Sequence, residues 1–400
     1  MIKPGQPGAY TFENLCSMEN LWEAARRARR GKRFHPAVSR FHHNLGDQLV
    51  RLRDDLLTGS YQPGPYHTFQ IYEPAHRHIS AAPYRDRVVH HALCQITEPL
   101  FERGFIADSY ANRKGYGTHR ALDRCTEYAR RFPYVLQCDI RLFFPSIDHE
   151  ILARQLARRI WDKQVLALAR TILDHSNPQP AADFYFAGDD LFTPGERRKG
   201  LPIGNLTSQF WANVHLDPFD HFVRDELGVP GYVRYVDDFL IFGHDKGQLA
   251  EWRDAMRDRL AQLRLVLHPR KTRLYPVSEG IPFLGFRVFP RRRRLLPEAV
   301  QRTRRRFGRL SAGYERGELG MAEVFTSLRA WIAHAAHGDT KALRRRLLAG
   351  VVLRARGRIR ACGGARGTTI TTTLAPPIAT TINPATVTTT TGFVVPVHHG

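Results

Sequence analysis

The stretch "RYVDDFLIF", residues 234–242, places Asp237 and Asp238 side by side within an apolar and aromatic run. The residues on both sides are strand formers, so the pattern predicts two buried strands that join at the aspartates. A buried carboxylate is costly unless it is paired or coordinates a metal, and a second adjacent charge raises that cost. Two interpretations follow. The pair lies in a tight turn exposed to solvent, which suits Asp-Asp, or it forms a metal site that needs a third carboxylate from elsewhere.

The composition indicates a polyanionic partner. Lysine and arginine number 60 against 38 acidic residues, which gives a net charge of +22 over 400 residues, mostly from arginine. Each phosphate that a basic side chain neutralises releases counterions, so nucleic acid is the expected ligand. An anionic membrane surface or ribosomal association would also fit the charge, but no lipid-anchor motif supports the membrane alternative.

The cysteines, the histidines and the N-terminus give no sign of secretion or zinc binding. The start, "MIKPGQPGAYTF", lacks an apolar signal core, and no 18 apolar residues run together, so we expect a soluble, cytoplasmic protein without membrane association. The five cysteines include no CxxC pair. The histidine pairs lack partners at metal-ligand spacing and are interpreted as surface or nucleic-acid-facing residues.

Periodicity and turn residues predict the elements around this stretch. We expect helices over 19–59 with a stop at Gly59, a strand that ends near Asp139, and one long amphipathic helix over 203–226. A further helix around 248–263 and a strand pair at 282–289 follow. Residues 291–310 hold nine arginines and one glutamate. They predict a helix that either tracks phosphates or is simply solvated.

Asp139 is the candidate for the third carboxylate. It ends its predicted strand, and neighbouring strands of one sheet could bring it to Asp237 and Asp238. Carboxylates grouped in this way could hold two divalent ions that activate a 3′ hydroxyl and stabilise a leaving pyrophosphate. Mg²⁺ suits such oxygen ligands, with Mn²⁺ as a possible substitute.

Seven ordered motifs make the chain resemble the reverse transcriptases from about residue 77 to residue 348. They are "RHISAAPYRDRVV", "SYANRKGYGTH", "CDIRLFFPSIDH", "GLPIGNLTSQFWAN", "YVRYVDDFLIF", "LHPRKT" and "FLGF". The resemblance implies an α+β, right-hand polymerase fold with fingers, a palm of antiparallel sheet and packed helices, and a helical thumb. The expected divisions are a basic helical extension over 1–60, fingers over 61–136, a palm over 137–290 with a fingers insertion near 155–200, a basic thumb over 291–360, and a Thr/Pro-rich disordered tail over 361–400.

The resemblance also implies roles for individual residues. Asp139 and Asp237 would bind the metals with the backbone carbonyl of Ile140, and Asp238 would support or complete the site. Lys271 matches the lysine that protonates the pyrophosphate. The residues expected near the incoming nucleotide are Arg77, Arg113, Lys114, Phe144, Ile203, Gly204 and Gln209, and those expected to support the primer end are Phe283, Leu284, Gly285 and Phe286.

Two of these positions bear on substrate and fidelity. Phe144 falls where the family places its gate against a ribose 2′ hydroxyl, which favours deoxynucleotides, although simple core packing by Phe143 or Phe144 would explain the same sequence. Ile203 stands where many reverse transcriptases carry glutamine before the glycine of this motif. Loss of that amide beside the templating base pair predicts looser shape checking.

The "LPIGNLTSQ" motif, the short basic thumb and the lack of a recognisable nuclease or maturase domain look most like the reverse transcriptases of diversity-generating retroelements. That resemblance implies a bacterial or phage-encoded enzyme that copies a template RNA with errors at adenines. It also implies transfer of the cDNA into a variable gene. Expected partners are a structured template RNA, the cDNA/RNA duplex, dNTPs and a small basic accessory variability protein. Alternatives are a faithful retron-like, intron-derived or phage-defence enzyme, or a silent RNA-binding scaffold, which the retained aspartates disfavour.

The C-terminal tail differs in composition from the rest of the chain. From Thr368 to Gly400 it contains no Asp, Glu, Lys or Arg, and threonine dominates. We expect poor order there, because no period is sustained. One hypothesis is that residues from about Gly363 are a template repeat translated out of frame, since displaced asparagine AAC codons read as threonine ACA. An ordinary Thr/Pro-rich tail is the alternative.

Overall fold

A computed structural model describes residues 10–72, 77–180 and 182–357, together with the backbone of residues 368–373. The chain divides into two compact units between Tyr275 and Pro276. The predicted division into fingers, palm and thumb stays a prediction. Among the helices in the described ranges, none is both long and apolar enough to cross a membrane.

The first unit begins with four short helices. They are α1 (Phe12–Cys16), α2 (Met18–Ala28), α3 (Pro36–His43) and α4 (Leu45–Leu57). Thr11 and Ser17 cap the first two helices by accepting backbone N–H groups. Leu49, Leu52 and Leu56 of α4 are buried, as their helical spacing predicts, and Gly59 takes a φ of +73° just beyond the helix. The prediction of helices over this region is confirmed.

Two strands and two helices lead from this bundle to the central sheet. Strands β1 (His67–Ile71) and β2 (Arg77–Ala81) pair antiparallel. Helix α5 (Tyr84–Glu102) buries one side against α2, and α6 (Thr118–Arg131) packs on the sheet. The buried Asp86 carboxylate accepts from the Tyr61 hydroxyl and the Gly64 amide, so it fixes the chain before β1 onto α5.

The central sheet has four strands in the order β4, β5, β3, β6. Their bounds are β3 (Tyr134–Asp139), β4 (Gly231–Tyr235), β5 (Asp238–Gly243) and β6 (Arg273–Pro276). Both β3 and β4 run antiparallel to β5. Most residues of β3, β4 and β5 are buried, and the three aspartates lie at the ends of these strands or in the turn between them. The remaining helices of this unit are α7 (Phe143–Ser146), α8 (His149–Ala157), α9 (Lys163–Asp174), α10 (Thr193–Glu196), α11 (Leu206–His221) and α12 (Lys246–Gln262).

The single amphipathic helix predicted over 203–226 is wrong in its bounds and its character. Helix α11 begins only at Leu206, because the Asn205 side chain bonds to the backbone of Ser80, Ala82 and Pro202 and holds that residue extended. After α11 the chain continues as a π-helix over Phe222–Glu226. Most of α11 is buried, so it is a core helix of the unit rather than an amphipathic surface helix.

The second unit combines a small sheet with a helical core. Strands β7 (Ile281–Phe283), β8 (Phe286–Val288) and β9 (Arg293–Leu295) pair antiparallel after a short 3₁₀ turn, Val277–Glu279. Helices α13 (Pro297–Glu315), α14 (Met321–Ala335) and α15 (Lys341–Ala349) enclose Phe307, Leu328 and Trp331. The expected helix over 291–310 is therefore wrong at its start, because residues 293–295 pair with β8.

The tail also departs from its prediction in one segment. Strand β10 (Val352–Gly357) pairs antiparallel with β11 (Thr368–Thr373), so poor order does not hold for those six threonine-rich positions. Threonine is β-branched and suits a strand even without an alternating pattern. Residues 361–367 and 374–400, which carry the rest of the tail prediction, lie outside the described residues.

Candidate active site

The register of the central sheet brings the three predicted aspartates together. Asp139 ends β3 and lies directly opposite Asp238, the first residue of β5. Asp237 occupies the two-residue turn between β4 and β5, and its carbonyl accepts the Ile140 amide at 3.2 Å. The turn interpretation holds in part, and the metal site stays a prediction. Asp237 lies in a turn, but each carboxylate is at least partly buried and the third one stands beside them.

These three carboxylates are partly buried, and their negative charges repel one another. Burial raises the pKa of Asp238 to about 7, and the charges of Asp237 and Asp139 add to the effect. The pKa of Asp237 is also raised by burial and by Asp139, although its own backbone amide, Lys271 and Arg77 oppose the shift. Like charges directly opposite in a sheet destabilise it. The three carboxylates therefore carry more negative charge than their surroundings neutralise. Such an excess is what a site for a divalent cation would have.

Lys271 supplies part of the missing charge. The segment 266–272 lies beside the end of β3, where the His268 amide donates to the Asp139 carbonyl at 2.7 Å. The Lys271 ammonium group lies 2.8 Å from Oδ2 of Asp139, with its side chain more than half exposed. Burial opposes its charge, but the hydrogen bond to Asp139 and the charges of the three aspartates raise the Lys271 pKa. The lysine predicted as an acid therefore stands at the carboxylates in its protonated form.

Cys138 precedes Asp139 in β3 but belongs to the opposite face of the sheet. Successive side chains of a strand point to opposite faces, and Cys138 is completely buried. Burial raises its pKa well above the usual range for a thiol. The thiol is thus held neutral inside the core, on the face of the sheet opposite the Asp139 side chain.

The strand β2 and the loop 202–205 carry three of the predicted nucleotide-binding residues. Arg77 begins β2, is exposed, and lies close enough to Asp237 to lower its pKa. The Ser80 amide donates to the Ile203 carbonyl at 2.9 Å, which ties the loop to β2. Gly204 has a φ of +116°, and a Cβ atom there would lie 2.9 Å from Ile79. Glycine is therefore required at this close approach.

The prediction that Arg113 holds the triphosphate is wrong for this structure. Its side chain is only 3% exposed and pairs with Glu102 at 2.8 Å. The guanidinium also donates to the carbonyls of Ile106 and Ser109, and it stacks on Tyr116. Its charge and donors are used to hold the 105–116 segment together. Lys114, the next residue, is exposed and remains the basic candidate in this motif.

The two phenylalanines after Asp139 differ in how deeply they are buried. Phe143 is 2% exposed and packs in the core, whereas Phe144 is only partly buried and meets it edge to face, with ring centroids 5.4 Å apart. Phe144 also packs against the core but keeps part of its surface exposed, so its role as the gate stays a prediction. Gln209, another predicted nucleotide residue, is exposed on the first turns of the otherwise buried α11. Its role stays a prediction.

The primer-support prediction needs a correction for two side chains. Phe283 and Phe286 face each other across the β7–β8 hairpin and are 2% and 0% exposed. Both side chains are therefore buried within the second unit, where Phe286 also packs on His334. Leu284 and Gly285 form the turn between them with φ of +48° and +87°, and they alone remain accessible.

Sequence reasoning missed a buried polar network behind the aspartate turn. Arg234, at the third residue before Asp237, is completely buried and pairs with Asp220 of α11. Tyr232 and Asn213 bond to the same pair. An arginine placed within the apolar strand "GYVRYV" was the available signal, because a buried charge implies a buried partner.

In the part of the chain that the structure describes, no group of three or more His, Cys, Asp or Glu side chains is arranged to hold a metal ion. The oxygen donors and mutual repulsion of Asp139, Asp237 and Asp238 nevertheless fit a hard divalent cation. Mg²⁺ is commonly held by one or two carboxylates plus substrate phosphates rather than by an all-protein cage.

The family model for "Reverse transcriptase (RNA-dependent DNA polymerase)" matches residues 73–288, which is more than half of the 400 residues. The chain therefore belongs to the reverse transcriptase family, whose members are RNA-directed DNA polymerases that use divalent metals and bind template RNA. The match contains the aspartates, Lys271 and the loop 202–205. The α+β right-hand polymerase fold implied by the motifs is thereby confirmed.

Individual relatives extend the comparison. Protein YkfC of Escherichia coli (strain K12) is 28% identical over 331 residues, covering 70% of this chain and 83% of that protein. The Putative COX1/OXI3 intron 1 protein of Saccharomyces cerevisiae is 23% identical over 183 residues, which are 45% of this chain and 21% of that protein. Among solved structures, apo telomerase from Candida tropicalis aligns with a TM-score of 0.44 and 11% identity, over 61% of this chain and 59% of that one.

Proposed function

We propose that this chain is the reverse transcriptase of a diversity-generating retroelement. It copies a template-repeat RNA into cDNA with errors directed at adenines, and the cDNA then replaces part of a variable gene. Membership of the reverse transcriptase family carries the polymerase activity. The mutagenic role is the further step that this proposal adds.

Ile203 is the observation that carries the mutagenic role. Its loop is bonded to β2 through Ser80, and β2 also presents Arg77 towards Asp237. An apolar side chain at this position offers no hydrogen bond to a base pair. A mispair that keeps an acceptable shape is therefore rejected less strongly than it would be by a polar contact.

The polymerase chemistry is assigned to the three aspartates and Lys271. Asp139, Asp237 and Asp238, with the Ile140 carbonyl, would hold two Mg²⁺ ions, which Mn²⁺ could replace. Bound there, the ions would activate the primer 3′ hydroxyl and neutralise the pyrophosphate. Lys271, which is bonded to Asp139, would give its proton to the leaving group. Arg77, Lys114 and Gln209 would bind the incoming dNTP, and Phe144 would exclude a ribose.

The net charge of +22 supports template RNA and the cDNA/RNA duplex as partners. We further propose a small basic accessory variability protein, as the resemblance to this branch implies. We place the activity in the cytoplasm of a bacterium, where the template is transcribed. The proposal that the tail is a template repeat in the wrong frame is tested by the gene itself, since threonine codons of ACG or ACT throughout would contradict it.

A faithful, intron-derived enzyme is the second candidate. The yeast relative is described as an intron protein, and Nuclear intron maturase 2, mitochondrial, of Arabidopsis thaliana is 22% identical over 250 residues, half of this chain and a third of that protein. On this alternative the same aspartates and lysine act, but the copying is accurate.

Sequencing of the cDNA decides between the two candidates. The purified protein is supplied with RNA from its own locus, any small basic neighbour protein, dNTPs and Mg²⁺. Substitutions concentrated opposite template adenines support the retroelement proposal, and uniformly faithful cDNA contradicts it. Asp139→Ala and Asp238→Asn should abolish synthesis while RNA affinity stays nearly intact, because arginines spread over the chain provide the binding.

Ile203→Gln tests the residue that carries the proposal. The added amide should lower the frequency of adenine errors several-fold, because a polar contact to the base pair is restored. Ile203→Leu is the matched control, since it changes shape but adds no hydrogen-bonding group. Equal error frequencies in the wild type and in Ile203→Gln would remove Ile203 as the cause.

A further inference from the structure

A fully buried guanidinium stands behind the turn that carries Asp237. Arg234 lies in β4 and is 0% exposed. Burying a charge in a protein core costs several kcal/mol unless it is paired and bonded. The core around β4 could have been filled by an apolar residue at this position, so the bonds that Arg234 makes are the first clue to its role.

Asp220 neutralises this charge in a two-pronged contact. Nε of Arg234 donates to Oδ1 of Asp220 at 2.7 Å, and Nη2 donates to Oδ2 at 2.5 Å. The Tyr232 hydroxyl donates to the same carboxylate at 2.7 Å. Such a planar pairing fixes the orientation of the guanidinium as well as its charge.

The remaining nitrogen reaches the aspartate turn. Nη1 donates to the carbonyl of Val236 at 3.1 Å and to Oδ1 of Asn213 at 3.2 Å. Asn213 in turn donates to the Ala111 carbonyl at 2.9 Å. The guanidinium of Arg234 is therefore neutralised by Asp220 through two of its nitrogens and bonds to the backbone of the turn through the third.

Val236 is the residue of the turn that most needs support. It has a φ of +60°, in the left-handed region. Two-residue hairpins place glycine, asparagine or aspartate in such positions, and a β-branched residue there is strained. The Val236 carbonyl belongs to the peptide that ends at the Asp237 nitrogen, so its orientation decides how Asp237 is presented.

We infer that Arg234 is a positioning residue, which uses Asp220 and Asn213 to hold the strained Val236–Asp237 peptide and thereby sets the carboxylates for metal binding. The Ile140 amide holds the next carbonyl, that of Asp237, from the other side at 3.2 Å. The turn is thus fixed at two successive peptides. This inference rests on the polymerase activity of the family and is independent of error frequency.

Arg234→Lys is the first test, because an ammonium group keeps the charge but cannot bond to Asp220 and Val236 in the same fork. Primer extension on a poly(rA) template with oligo(dT) measures kcat and the Mg²⁺ concentration for half-maximal rate. Mn²⁺ binding without nucleic acid, followed by the free-ion electron paramagnetic resonance signal, gives a readout besides activity. We expect kcat to fall about tenfold, the KM for dTTP to stay within about twofold and Mn²⁺ to bind several-fold more weakly.

A second substitution separates positioning from simple stabilisation. Glycine takes a φ of +60° without strain, so Val236→Gly added to Arg234→Lys should recover much of the lost Mn²⁺ affinity. The matched control is Arg197→Lys, which alters another buried arginine of the first unit, one that pairs with Asp189 instead. It should leave both metal readouts unchanged.

Stability is measured alongside, because Arg234→Lys could unfold the unit. If it does, Asn213→Ala replaces it, since this change keeps the Arg234–Asp220 pair and removes one bond that orients the guanidinium. A smaller loss of Mn²⁺ affinity is then expected. Unchanged Mn²⁺ binding in a folded variant, or no recovery with Val236→Gly, would overturn the inference. If the variants change Mn²⁺ binding as expected but the wild type copies accurately, the mutagenic proposal is wrong and the inference about Arg234 stands.

Discussion

Asp238 has a pH-dependent effect on stability because folding places it among like charges. Its pKa is about 7 in the folded chain, against about 4 for an unfolded aspartate. The folded state therefore binds this proton more tightly than the unfolded state does. It follows that stability rises as the pH falls from about 7 towards 4, and that the unfavourable contribution is complete above pH 7.

Asp238→Asn should remove this dependence. With EDTA present to exclude metals, we expect the variant to melt a few degrees higher than the wild type at pH 8 and at nearly the same temperature close to pH 4. Thermal melting followed by circular dichroism across this range checks the expectation. A difference in melting temperature between variant and wild type that stays the same at every pH would show that Asp238 is not destabilised by its neighbouring charges.

Arg113 and Lys114 are adjacent, but we expect opposite effects from their loss. Arg113→Ala should destabilise the first unit by about 2 kcal/mol, because it leaves Glu102 and two carbonyls without their donor. Lys114→Ala should leave the melting temperature unchanged and raise the KM for dNTPs. Melting curves and steady-state kinetics of both variants make the comparison. A raised KM in a stably folded Arg113→Ala protein would restore the original assignment.

Single residues were predictable where their chemistry alone implied a partner. Asp139, Asp237 and Asp238 could be grouped because like charges at strand ends point to a metal. The prediction for Arg113 failed because the motif identifies a basic residue but does not show whether its guanidinium is already bonded within the fold. Arg234 was missed because its partner Asp220 lies on a helix, and neither residue alone reveals the distance between them.

At the scale of elements, strand β11 is the least expected feature. Removing residues 358–400 deletes it and leaves β10 as an unpaired edge. The helices α13, α14 and α15 enclose their own core around Phe307 and Trp331, so we expect the truncated chain to remain folded. We also expect it to extend a primer at a rate within about twofold of the full chain, a change too small to mark a catalytic element.

Primer extension and Trp fluorescence of the truncated chain measure this outcome. A chain that ends after residue 373 is the matched control, since it keeps β11 and lacks the rest of the tail. Loss of DNA synthesis in both truncated chains would show that residues 374–400 have a function. Loss in the shorter chain alone would make β11 structural.

The bounds of elements followed the sequence where local signals agreed and failed where distant contacts intervened. Helix α4 ends near Gly59 as its spacing predicts. Helix α11 starts late because Asn205 bonds to β2, which is more than 120 positions earlier in the sequence. Strand β9 was not predicted, because its arginines were assigned to a charged helix. In the structure the backbone of these residues pairs with β8.

At the scale of the whole molecule, the charge of +22 predicts a steep salt dependence of RNA binding. If about six phosphates are contacted on a single-stranded template, the affinity should fall with a log–log slope near −4. Fluorescence anisotropy with a labelled template RNA from 50 to 300 mM KCl measures the slope. Asp139→Ala should shift the curve little, whereas a slope near zero would show that the excess charge does not bind RNA.

The polymerase resemblance extends over both units of the chain, and family membership confirms its class. The subtype depends on Ile203 and on partners that are absent from the sequence itself. The fold class follows from the ordered motifs of the chain, whereas the RNA that is copied is a property of the locus.

The buried thiol of Cys138 has a consequence for handling and for the cell. Zn²⁺ and Cd²⁺ favour sulfur ligands, and a cysteine beside Asp139 could have captured them. Strand alternation instead turns that sulfur into the core, where its proton is held firmly. The strand β3 therefore offers no thiolate beside the carboxylate of Asp139, and we expect metals that prefer sulfur to gain no sulfur ligand from this strand.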